Sequence, residues 1–322
     1  MQDDGAARFT AEALAKVDRF IADHDGLTRQ GVDQPAHGAT NRVFFARRDD
    51  DMVVFKVFCE PERKERECFA LRHWHATGLV PDLLWDADSR MIAMSYVPGV
   101  WLTEERNFEG EQAWAEACRE TGNAIGSLSR IPLSSAKRAW FESHFYAQLR
   151  TLESYLARIL ELGRAIHARD PDFRDGFWTK SLNFIEAVMP CILAQPRVLY
   201  HQDVANLHVQ HGRFTGFFDL EMCRVGCAAM QLGSALGMVE AGHAAWGFFR
   251  EGWEAGTGKP LTPGDAAAAG AARQLLGWRE ISRYISYDGT PGTGFEWADP
   301  ADPAWYRSSF EVSDGLLQTG VF

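Results

Sequence analysis

Two short stretches in the second half of the chain decide the fold. The first is Tyr200-His201-Gln202-Asp203-Val204-Ala205-Asn206, and the second is Phe217-Phe218-Asp219-Leu220-Glu221. The residues between them predict a β-hairpin, because Leu207–Gln210 and Phe214–Phe218 suit strands and His211-Gly212 suits the turn. The hairpin therefore separates two polar segments, one before its first strand and one after its second.

The polar side chains of these segments have the chemical types that phosphoryl transfer needs. Such a reaction uses a carboxylate at the attacking hydroxyl and oxygen ligands for the Mg²⁺ that bridges the phosphates. Asp203, Asn206 and Asp219 supply these types. Either aspartate alone suits a cap or a turn equally well. Their combination around one hairpin favours a phosphoryl-transfer site.

A lysine in the first hundred residues allows two interpretations. Lys56 lies inside the apolar run Val53–Phe58, where a buried ammonium is costly unless it meets an anion. It could lie at a sheet edge and reach water. Alternatively, it could bind nucleotide phosphates while a carboxylate holds it in place. Glu67 on the next predicted helix is the preferred carboxylate, and Glu65 is the local alternative.

A small polar turn precedes the first strand of the same region. Gly38-Ala39-Thr40-Asn41 offers small residues whose backbone N–H groups can approach phosphate oxygens closely. An ordinary turn explains these four residues as well, so the sequence leaves both interpretations open.

The hydrophobic periodicity divides the chain into an α+β part and a mainly helical part. Up to about residue 97 it predicts helix 10–23, a hairpin of Arg42–Arg47 with Met52–Phe58, helix 62–77, and a strand pair of Leu83–Asp86 with Met91–Tyr96. From about residue 110 it predicts helices at 111–130, 141–168, 174–194, 227–256, 263–276 and 277–287, with a strand at Val198–Tyr200.

Composition excludes several classes of function. The 322 residues carry 44 Asp and Glu against 33 Lys and Arg, and a net charge of -11 argues against a nucleic-acid partner. The first ten residues lack the apolar region of a signal peptide, and no apolar run approaches a membrane span. Six cysteines without a CxxC pair, in spacings that fit no common zinc site, indicate reduced thiols. We therefore expect a cytoplasmic protein without a membrane partner.

Taken in order, these features resemble the aminoglycoside phosphotransferase and choline kinase-like family, which is related to the protein kinases. The resemblance covers about residues 35 to 240. It rests on the phosphate loop Gly38–Val43, Lys56, Glu67, the turn Thr77–Pro81, the hinge Met94–Gly99, the triplet His201, Asp203 and Asn206, and finally Asp219.

The resemblance implies a protein-kinase-like two-lobed fold of class α+β. Residues 1–97 would form a nucleotide-binding N-lobe with an antiparallel sheet and a helix. Residues 98–322 would form a mainly helical C-lobe with the catalytic loop and the acceptor site.

The same resemblance implies a role for each matching residue. Lys56 would hold the ATP phosphates with Glu67 as its partner, beside a phosphate loop that includes Gly38, Thr40 and Asn41. The backbone around Ser95, Tyr96 and Val97 would bind adenine. Asp203 would orient or deprotonate the acceptor hydroxyl, and His201 would brace the loop. Asn206 and Asp219 would ligate Mg²⁺.

The chain departs from the family's usual pattern in two places. Asn206 follows Asp203 by three positions instead of five, and His208 occupies the five-step position. Asn206 is preferred because Mg²⁺ favours oxygen ligands, so the catalytic loop is two residues short. The run Gly226–Leu232 also lacks two carboxylates that family members commonly carry after the metal aspartate. Glu221 is the next candidate near the metal.

We expect transfer of the γ-phosphoryl group of ATP to a hydroxyl of a small molecule. The preferred acceptor is an aminoglycoside-like or other antibiotic, inactivated by phosphorylation, or else a cationic amino alcohol or sugar metabolite. A cluster of late acidic residues favours a cationic acceptor: Glu240, Glu251, Glu254, Glu280 and Asp288. The protein would act as a monomer or homodimer.

Two alternatives belong to other classes. The short catalytic loop would also suit a catalytically inactive nucleotide-binding protein that serves as a sensor or scaffold. Protein kinase activity is disfavoured, because the sequence shows no activation segment between Asp219 and the next helix that could dock a peptide.

Overall fold

The computed structural model describes residues 2–31, 41–144, 150–169, 177–238 and 242–284. The chain divides into two compact units. The first unit contains Met1–Gly99 and Thr215–Met222, and the second contains Val100–Phe214 and Cys223–Phe322. A short segment that follows the second hairpin therefore belongs to the first unit.

The first unit is an antiparallel five-stranded sheet with helices. Its strand order is β1-β2-β3-β5-β4, which agrees with the predicted α+β class. Its elements are α1 (Gln2–Ala22), β1 (Leu27–Gln30), β2 (Arg42–Arg48), β3 (Asp51–Val57), α2 (Pro61–Trp74), a 3-10 turn (His75–Thr77), β4 (Leu83–Asp88) and β5 (Met91–Ser95).

The central position of β3 decides the environment of its lysine. In this strand Phe55 pairs with Phe44 of β2, and Lys56 pairs with Val43 of β2 and Ile92 of β5. Successive side chains point to opposite faces of a sheet. Phe55 belongs to the apolar core that also includes Val17 of α1, so Lys56 lies on the other face. Because β3 has a neighbour on each side, the edge-lysine interpretation does not apply.

The second unit is mainly helical, as predicted. Its elements are β6 (Val100–Trp101), α3 (Leu102–Ser129), α4 (Ser135–Ser143), α5 (Leu152–Arg169), α6 (Phe177–Ala194), β7 (Val198–Tyr200), β8 (Leu207–Gln210), the start of β9 (Arg213–Phe217), β10 (Arg224–Gly226), α7 (Ala228–Met238), α8 (Gly242–Thr257) and α9 (Pro263–Tyr284). Among the described residues, no helix is both long enough and apolar enough to cross a membrane.

Four helix predictions were wrong in their boundaries. The predicted helix 141–168 includes parts of two helices, because α4 ends at Ser143 and α5 begins at Leu152. The predicted helix 227–256 is also two helices, α7 and α8. Conversely, the two helices predicted at 263–276 and 277–287 form one helix, α9, to Tyr284.

Glycines let helices α3 and α8 pack with their backbones in contact. A Cβ atom added to Gly252 of α8 would lie 1.9 Å from the carbonyl oxygen of Arg119, and one added to Gly122 of α3 would lie 2.3 Å from that of Phe249. Real side chains do not tolerate such distances. The packing of α3 against α8 therefore requires glycine at these two positions.

Candidate functional site

The ammonium group of Lys56 lies against three carboxylates of the first unit. Its Nζ is 2.5 Å from Glu67 Oε2 and 3.3 Å from Glu221 Oε2, and it donates a hydrogen bond to Asp219 Oδ1. Lys56 is 3% exposed and Glu67 is 0% exposed, whereas the Asp219 side chain is 41% exposed. We call these four residues the lysine–carboxylate cluster. Within this cluster, Lys56 and Glu67 are buried and Asp219 is accessible to solvent.

Three elements bring the cluster together. Strand β3 supplies Lys56, helix α2 supplies Glu67, and the segment after β9 supplies Asp219 and Glu221. Asp219 adopts a left-handed backbone conformation with φ of 57°, which is uncommon for a residue other than glycine and is concentrated at functional sites. The predicted pairing of Lys56 with Glu67 is present. The local alternative, Glu65, instead pairs with Lys64 at 3.1 Å.

Burial and charge act in opposite directions on these groups. Burial by itself lowers the pKa of Lys56, but Asp219, Glu221 and Glu67 raise that pKa well above its usual value. Burial raises the pKa of Glu67 despite the adjacent ammonium. Burial also opposes the ionisation of Glu221, yet Lys56 and Arg63 hold the pKa of Glu221 below its usual range. Two cations therefore stabilise the ionised form of Glu221.

The cluster has the composition of a divalent cation site. Glu67, Asp219 and Glu221 each offer a carboxylate oxygen, and these atoms lie within 4.8 Å of one another. Carboxylate oxygens are the ligands that Mg²⁺ prefers. The residues present therefore fit a divalent cation, with Asp219 as its most accessible ligand.

Glu221 has a larger part in the geometry than the sequence indicated. Its carboxylate accepts hydrogen bonds from Arg63 Nη1 at 2.9 Å and from the side-chain amide of Asn41. Its backbone carbonyl accepts a hydrogen bond from Arg66 Nε at 2.9 Å. Glu221 therefore connects helix α2 and the start of β2 to the segment that carries Asp219. The available signal was its position two residues after Asp219.

The predicted phosphate loop is described only at its last residue. The side-chain oxygen of Asn41 accepts a hydrogen bond from the Cys59 backbone N–H at 3.2 Å, and its amide group donates to Glu221. Asn41 is thus tied to the lysine–carboxylate cluster through Glu221. Gly38 and Thr40 lie outside the described residues.

The predicted adenine segment follows strand β5. The backbone N–H of Ser95 donates to the Asp82 carbonyl at 3.0 Å, and that of Tyr96 donates to the Met52 carbonyl at 3.3 Å. Val97 is buried. Any adenine contact from Ser95 or Tyr96 would therefore involve a carbonyl oxygen or a side chain.

The predicted catalytic segment of the second unit forms a tight turn after β7. The Asn206 backbone N–H donates to the Asp203 carbonyl at 2.9 Å, so residues 203–206 form a single turn. Both side chains are half-buried and therefore remain accessible. Gln202 is buried and donates to the Tyr155 hydroxyl at 3.2 Å.

His201 holds the beginning of this segment in the interior. It is fully buried, and its Nδ1 lies 3.9 Å from the Cys223 sulfur. Strand β7 pairs with β10, with Tyr200 opposite Arg224, so residues on either side of the His201–Cys223 contact are fixed by backbone hydrogen bonds. This arrangement suits a bracing role for His201.

The alternative metal ligand, His208, lies within a strand. It is paired with Trp101 of β6, and the two rings meet edge to face at 5.6 Å. This placement suits a strand residue and favours Asn206 as the candidate ligand.

The late acidic residues do not form a described acceptor site. Glu251 pairs with Arg119 at 2.8 Å, and Glu254 pairs with Arg250 at 3.0 Å. Glu240 and Asp288 lie outside the described residues, and so does the side chain of Glu280. The two carboxylates that are described are thus engaged by arginines of the second unit.

Comparison with protein families gives one match. The model of the phosphotransferase enzyme family, APH, matches residues 31–271. This span includes every predicted site residue and confirms the resemblance found in the sequence. A search of curated proteins gives no match.

Comparison with solved structures finds phosphotransferases and kinases. The aminoglycoside phosphotransferase APH(2'')-Ib with bound ADP is 16% identical, with a TM-score of 0.56, covering 94% of this chain and 96% of that one. A choline/ethanolamine kinase family protein from Mesorhizobium loti is 15% identical, with a TM-score of 0.58, covering 95% of each chain. The macrolide 2'-phosphotransferase MphH from Brachybacterium faecium is 17% identical, with a TM-score of 0.56, covering 94% and 98%. These matches confirm the predicted protein-kinase-like fold.

Proposed function

The chain belongs to the phosphotransferase enzyme family, and from this premise we propose that it transfers the γ-phosphoryl group of ATP to a hydroxyl of a small molecule. The observation that carries the proposal is the lysine–carboxylate cluster. Its buried lysine and accessible aspartate have the chemical types needed to bind nucleotide phosphates and a divalent cation. The proposed enzyme is therefore an ATP-dependent, Mg²⁺-dependent small-molecule kinase.

In the proposed reaction, the first unit holds the nucleotide. Lys56 donates hydrogen bonds to phosphate oxygens, and Glu67, in contact with Lys56 at 2.5 Å, keeps the ammonium in place. Asp219 and Asn206 would hold Mg²⁺, and Glu221 is a further candidate beside Asp219. Bound Mg²⁺ would neutralise charge on the phosphates. Asn41 positions the end of the phosphate loop through Glu221.

The second unit supplies the base in the proposed reaction. The carboxylate of Asp203 accepts the proton of the acceptor hydroxyl while the hydroxyl oxygen attacks the γ-phosphorus. The bond between the γ-phosphorus and the oxygen that bridges to the β-phosphate breaks, and ADP leaves. Asp203 is half-buried, so a small hydroxyl can reach it. His201 keeps the segment in position from the interior.

The acceptor class rests on the solved structures. They include aminoglycoside phosphotransferases, a macrolide 2'-phosphotransferase and a choline/ethanolamine kinase family protein. We therefore propose an aminoglycoside-like or other antibiotic, or a cationic amino alcohol or sugar metabolite. For an antibiotic acceptor, expression of the protein would raise the minimal inhibitory concentration for sensitive bacteria.

The second candidate function is a catalytically inactive nucleotide-binding sensor or scaffold. The short spacing between Asp203 and Asn206 favours it, because these residues flank the acceptor side of the reaction. The complete lysine–carboxylate cluster and an accessible Asp203 favour catalysis instead.

Release of ADP tests the proposal across aminoglycosides, macrolides, nucleoside antibiotics and amino alcohols. The wild type should release ADP only with Mg²⁺ and with at least one acceptor, and Asp203→Ala should abolish the acceptor-dependent rate. If nucleotide binds with Mg²⁺, no acceptor accelerates turnover and Asp203→Ala changes nothing, the inactive alternative replaces the kinase.

A further inference from the structure

A buried arginine in the second unit has no partner among the described residues. Arg273 lies in helix α9 and is 7% exposed. Its Nε is fully enclosed and has no hydrogen-bond partner. None of the described residues forms an ion pair or a hydrogen bond with its guanidinium. The residue is therefore a buried positive charge without a described counter-charge.

Other buried arginines of the chain differ from it. Arg66 donates to the Glu221 carbonyl, and Arg42 donates to the Thr10 hydroxyl at 2.6 Å. The guanidinium of Arg224 lies over the Tyr155 ring, 3.9 Å from its centroid. The chain contains 44 acidic residues, so a scarcity of carboxylates does not explain the isolation of Arg273.

The charge of this guanidinium persists in the interior. Burial alone, with no acidic neighbour, lowers the pKa of Arg273 to about 10, which leaves it protonated at neutral pH. A buried charge without a partner is strongly unfavourable in a folded protein. A side chain kept in this state is best explained by a ligand that supplies the counter-charge.

A second polar group lies in the neighbouring helix. Gln231 of α7 is fully buried, and neither its amide oxygen nor its amide nitrogen has a hydrogen-bond partner in the described part of the chain. Helix α7 packs against α9, where a Cβ atom on Gly233 would lie 1.9 Å from the Ala269 carbonyl oxygen. Two helices that are in contact thus each contain a buried polar side chain that lacks a described partner.

We propose that Arg273 anchors a binding site for an anionic group, a carboxylate or a phosphate, that is carried by the acceptor. A guanidinium suits such a group, because its N–H donors can bind two oxygens at once. The inference rests on the proposed phosphotransferase function and narrows its acceptor: besides the hydroxyl, the antibiotic or metabolite carries a carboxylate or a phosphate, which a simple amino alcohol lacks. The engaged state of Glu251 and Glu254 agrees with an acceptor that is not recognised by its positive charge alone.

Thermal unfolding tests the site without requiring turnover. ADP and Mg²⁺ are kept present to occupy the nucleotide site, and the probes are inorganic phosphate, serine and homoserine. Ethanolamine and 3-amino-1-propanol are the matched controls, since they keep the amine and the hydroxyl but lack the carboxylate. The variants are Arg273→Met and Arg273→Lys. Arg250→Met, which removes an arginine already paired with Glu254, is the control variant.

The wild type should be stabilised by the carboxylate-bearing probes and not by the matched amino alcohols. Arg273→Met should unfold at a higher temperature than the wild type when no anion is present, because an unpaired charge is gone, and it should not respond to the anions. Arg273→Lys should respond weakly, and Arg250→Met should respond as the wild type does.

Turnover gives a second measurement with the same probes. The wild type should prefer serine or homoserine over the amino alcohol of equal length. Arg273→Met should reduce that preference in kcat/KM by roughly 30-fold or more, as expected for loss of one partner of a buried charge pair.

Three results would overturn the site, and a fourth would keep it as an anion site without a link to the acceptor. A lower unfolding temperature of Arg273→Met without any anion would mean that the chain itself supplies the counter-charge. An anion response that survives in Arg273→Met would place the anion elsewhere. No response of the wild type to any of the anions would also contradict it. A response to inorganic phosphate alone would assign the site to a free anion and remove the acceptor from the proposal. An Arg273-dependent response to serine or homoserine without turnover would support the site while the proposed function failed.

Discussion

The two units each contain a buried cation, and the two cations differ in their surroundings: Lys56 in the first unit contacts carboxylates, whereas Arg273 in the second has none among the described residues. In the cluster, Lys56 meets Glu67, Asp219 and Glu221 within one unit. Arg273 has no counter-charge among the described residues. The proposed nucleotide side is therefore organised by contacts within the first unit, whereas the proposed acceptor side contains a buried positive charge with no counter-charge among the described residues.

The two units also differ in the contacts that stabilise each of them internally. Ion pairs and hydrogen bonds to Glu221 connect α2, β2 and the segment after β9 in the first unit. In the second unit, helices α3 and α8 approach through glycines. Substitutions in the first unit should therefore lower stability by leaving buried charges without a partner. Substitutions of the glycines in the second unit should lower it by adding side-chain atoms where there is no space.

The largest effect is expected from Asp203→Asn. It removes the proposed base and keeps the shape of the side chain, so kcat should fall by roughly 10²- to 10⁴-fold, while ATP affinity stays within about 2-fold because the lysine–carboxylate cluster is untouched. Initial rates of ADP release with the best acceptor and equilibrium nucleotide binding measure both quantities. Asp50→Asn, in the exposed turn between β2 and β3, is the matched control. An unchanged kcat in Asp203→Asn would remove this residue from the mechanism.

Lys56→Met should be the most destabilising of the substitutions considered for the cluster. It removes the ammonium that contacts three carboxylates, of which Glu221 keeps Arg63, and removal of one partner from a buried charge pair costs about 3–5 kcal/mol. Lys16→Met is the control, because Lys16 pairs with Asp88 at side-chain exposures of 37% and 36%, where such a pair contributes at most about 1 kcal/mol. Urea unfolding of both variants measures the difference. Equal losses would mean that the cluster is not held by its charges.

Gly252→Ala tests the volume argument in the second unit. The new Cβ would meet the Arg119 carbonyl oxygen at 1.9 Å, so the free energy of unfolding should fall by about 1–3 kcal/mol. Gly247→Ala on the same helix meets nothing within 4 Å and should stabilise the protein by about 0.5–1 kcal/mol. If the two variants changed the free energy of unfolding alike, the backbone contact of α3 and α8 would not limit packing.

The smallest effect is expected from Glu221→Gln. Glutamine keeps an oxygen that can accept from Arg63 but loses the charge, so stability should fall by about 1 kcal/mol. A double-mutant cycle with Arg63→Met should give a coupling free energy of similar size. The cycle contradicts the positioning role of Glu221 if the two substitutions are simply additive.

The sequence predicted the residues whose neighbours follow from local periodicity. Alternation along β3 predicts that Lys56 and Phe55 point to opposite faces, and Glu67 on the next predicted helix was preferred to Glu65 as the partner of Lys56. The structure shows both. The helix break before α5 was missed, although Thr151 and Ser154 exchange hydrogen bonds there as an N-terminal cap. Two polar residues within a stretch of helical hydrophobic periodicity predict a helix break less strongly than the periodicity predicts a continuous helix.

Features that depend on distant segments were beyond the sequence. The contacts of Glu221 come from Arg63, Arg66 and Asn41, which lie more than 150 positions away. Strand β1 is only four residues long with two exposed side chains, so it lacks a clear apolar alternation. Arg273 resembles any other helical arginine until tertiary packing shows that it is buried and has no partner in the part of the chain that the structure describes.

Binding of a nonhydrolysable ATP analogue, measured by calorimetry with and without Mg²⁺, tests the central claim most directly. The wild type should bind the analogue more tightly with Mg²⁺. Asp219→Asn should lose that Mg²⁺ dependence while it remains folded. A wild type that binds no nucleotide, or an Asp219→Asn variant with the same Mg²⁺ dependence as the wild type, would contradict the assignment of the lysine–carboxylate cluster.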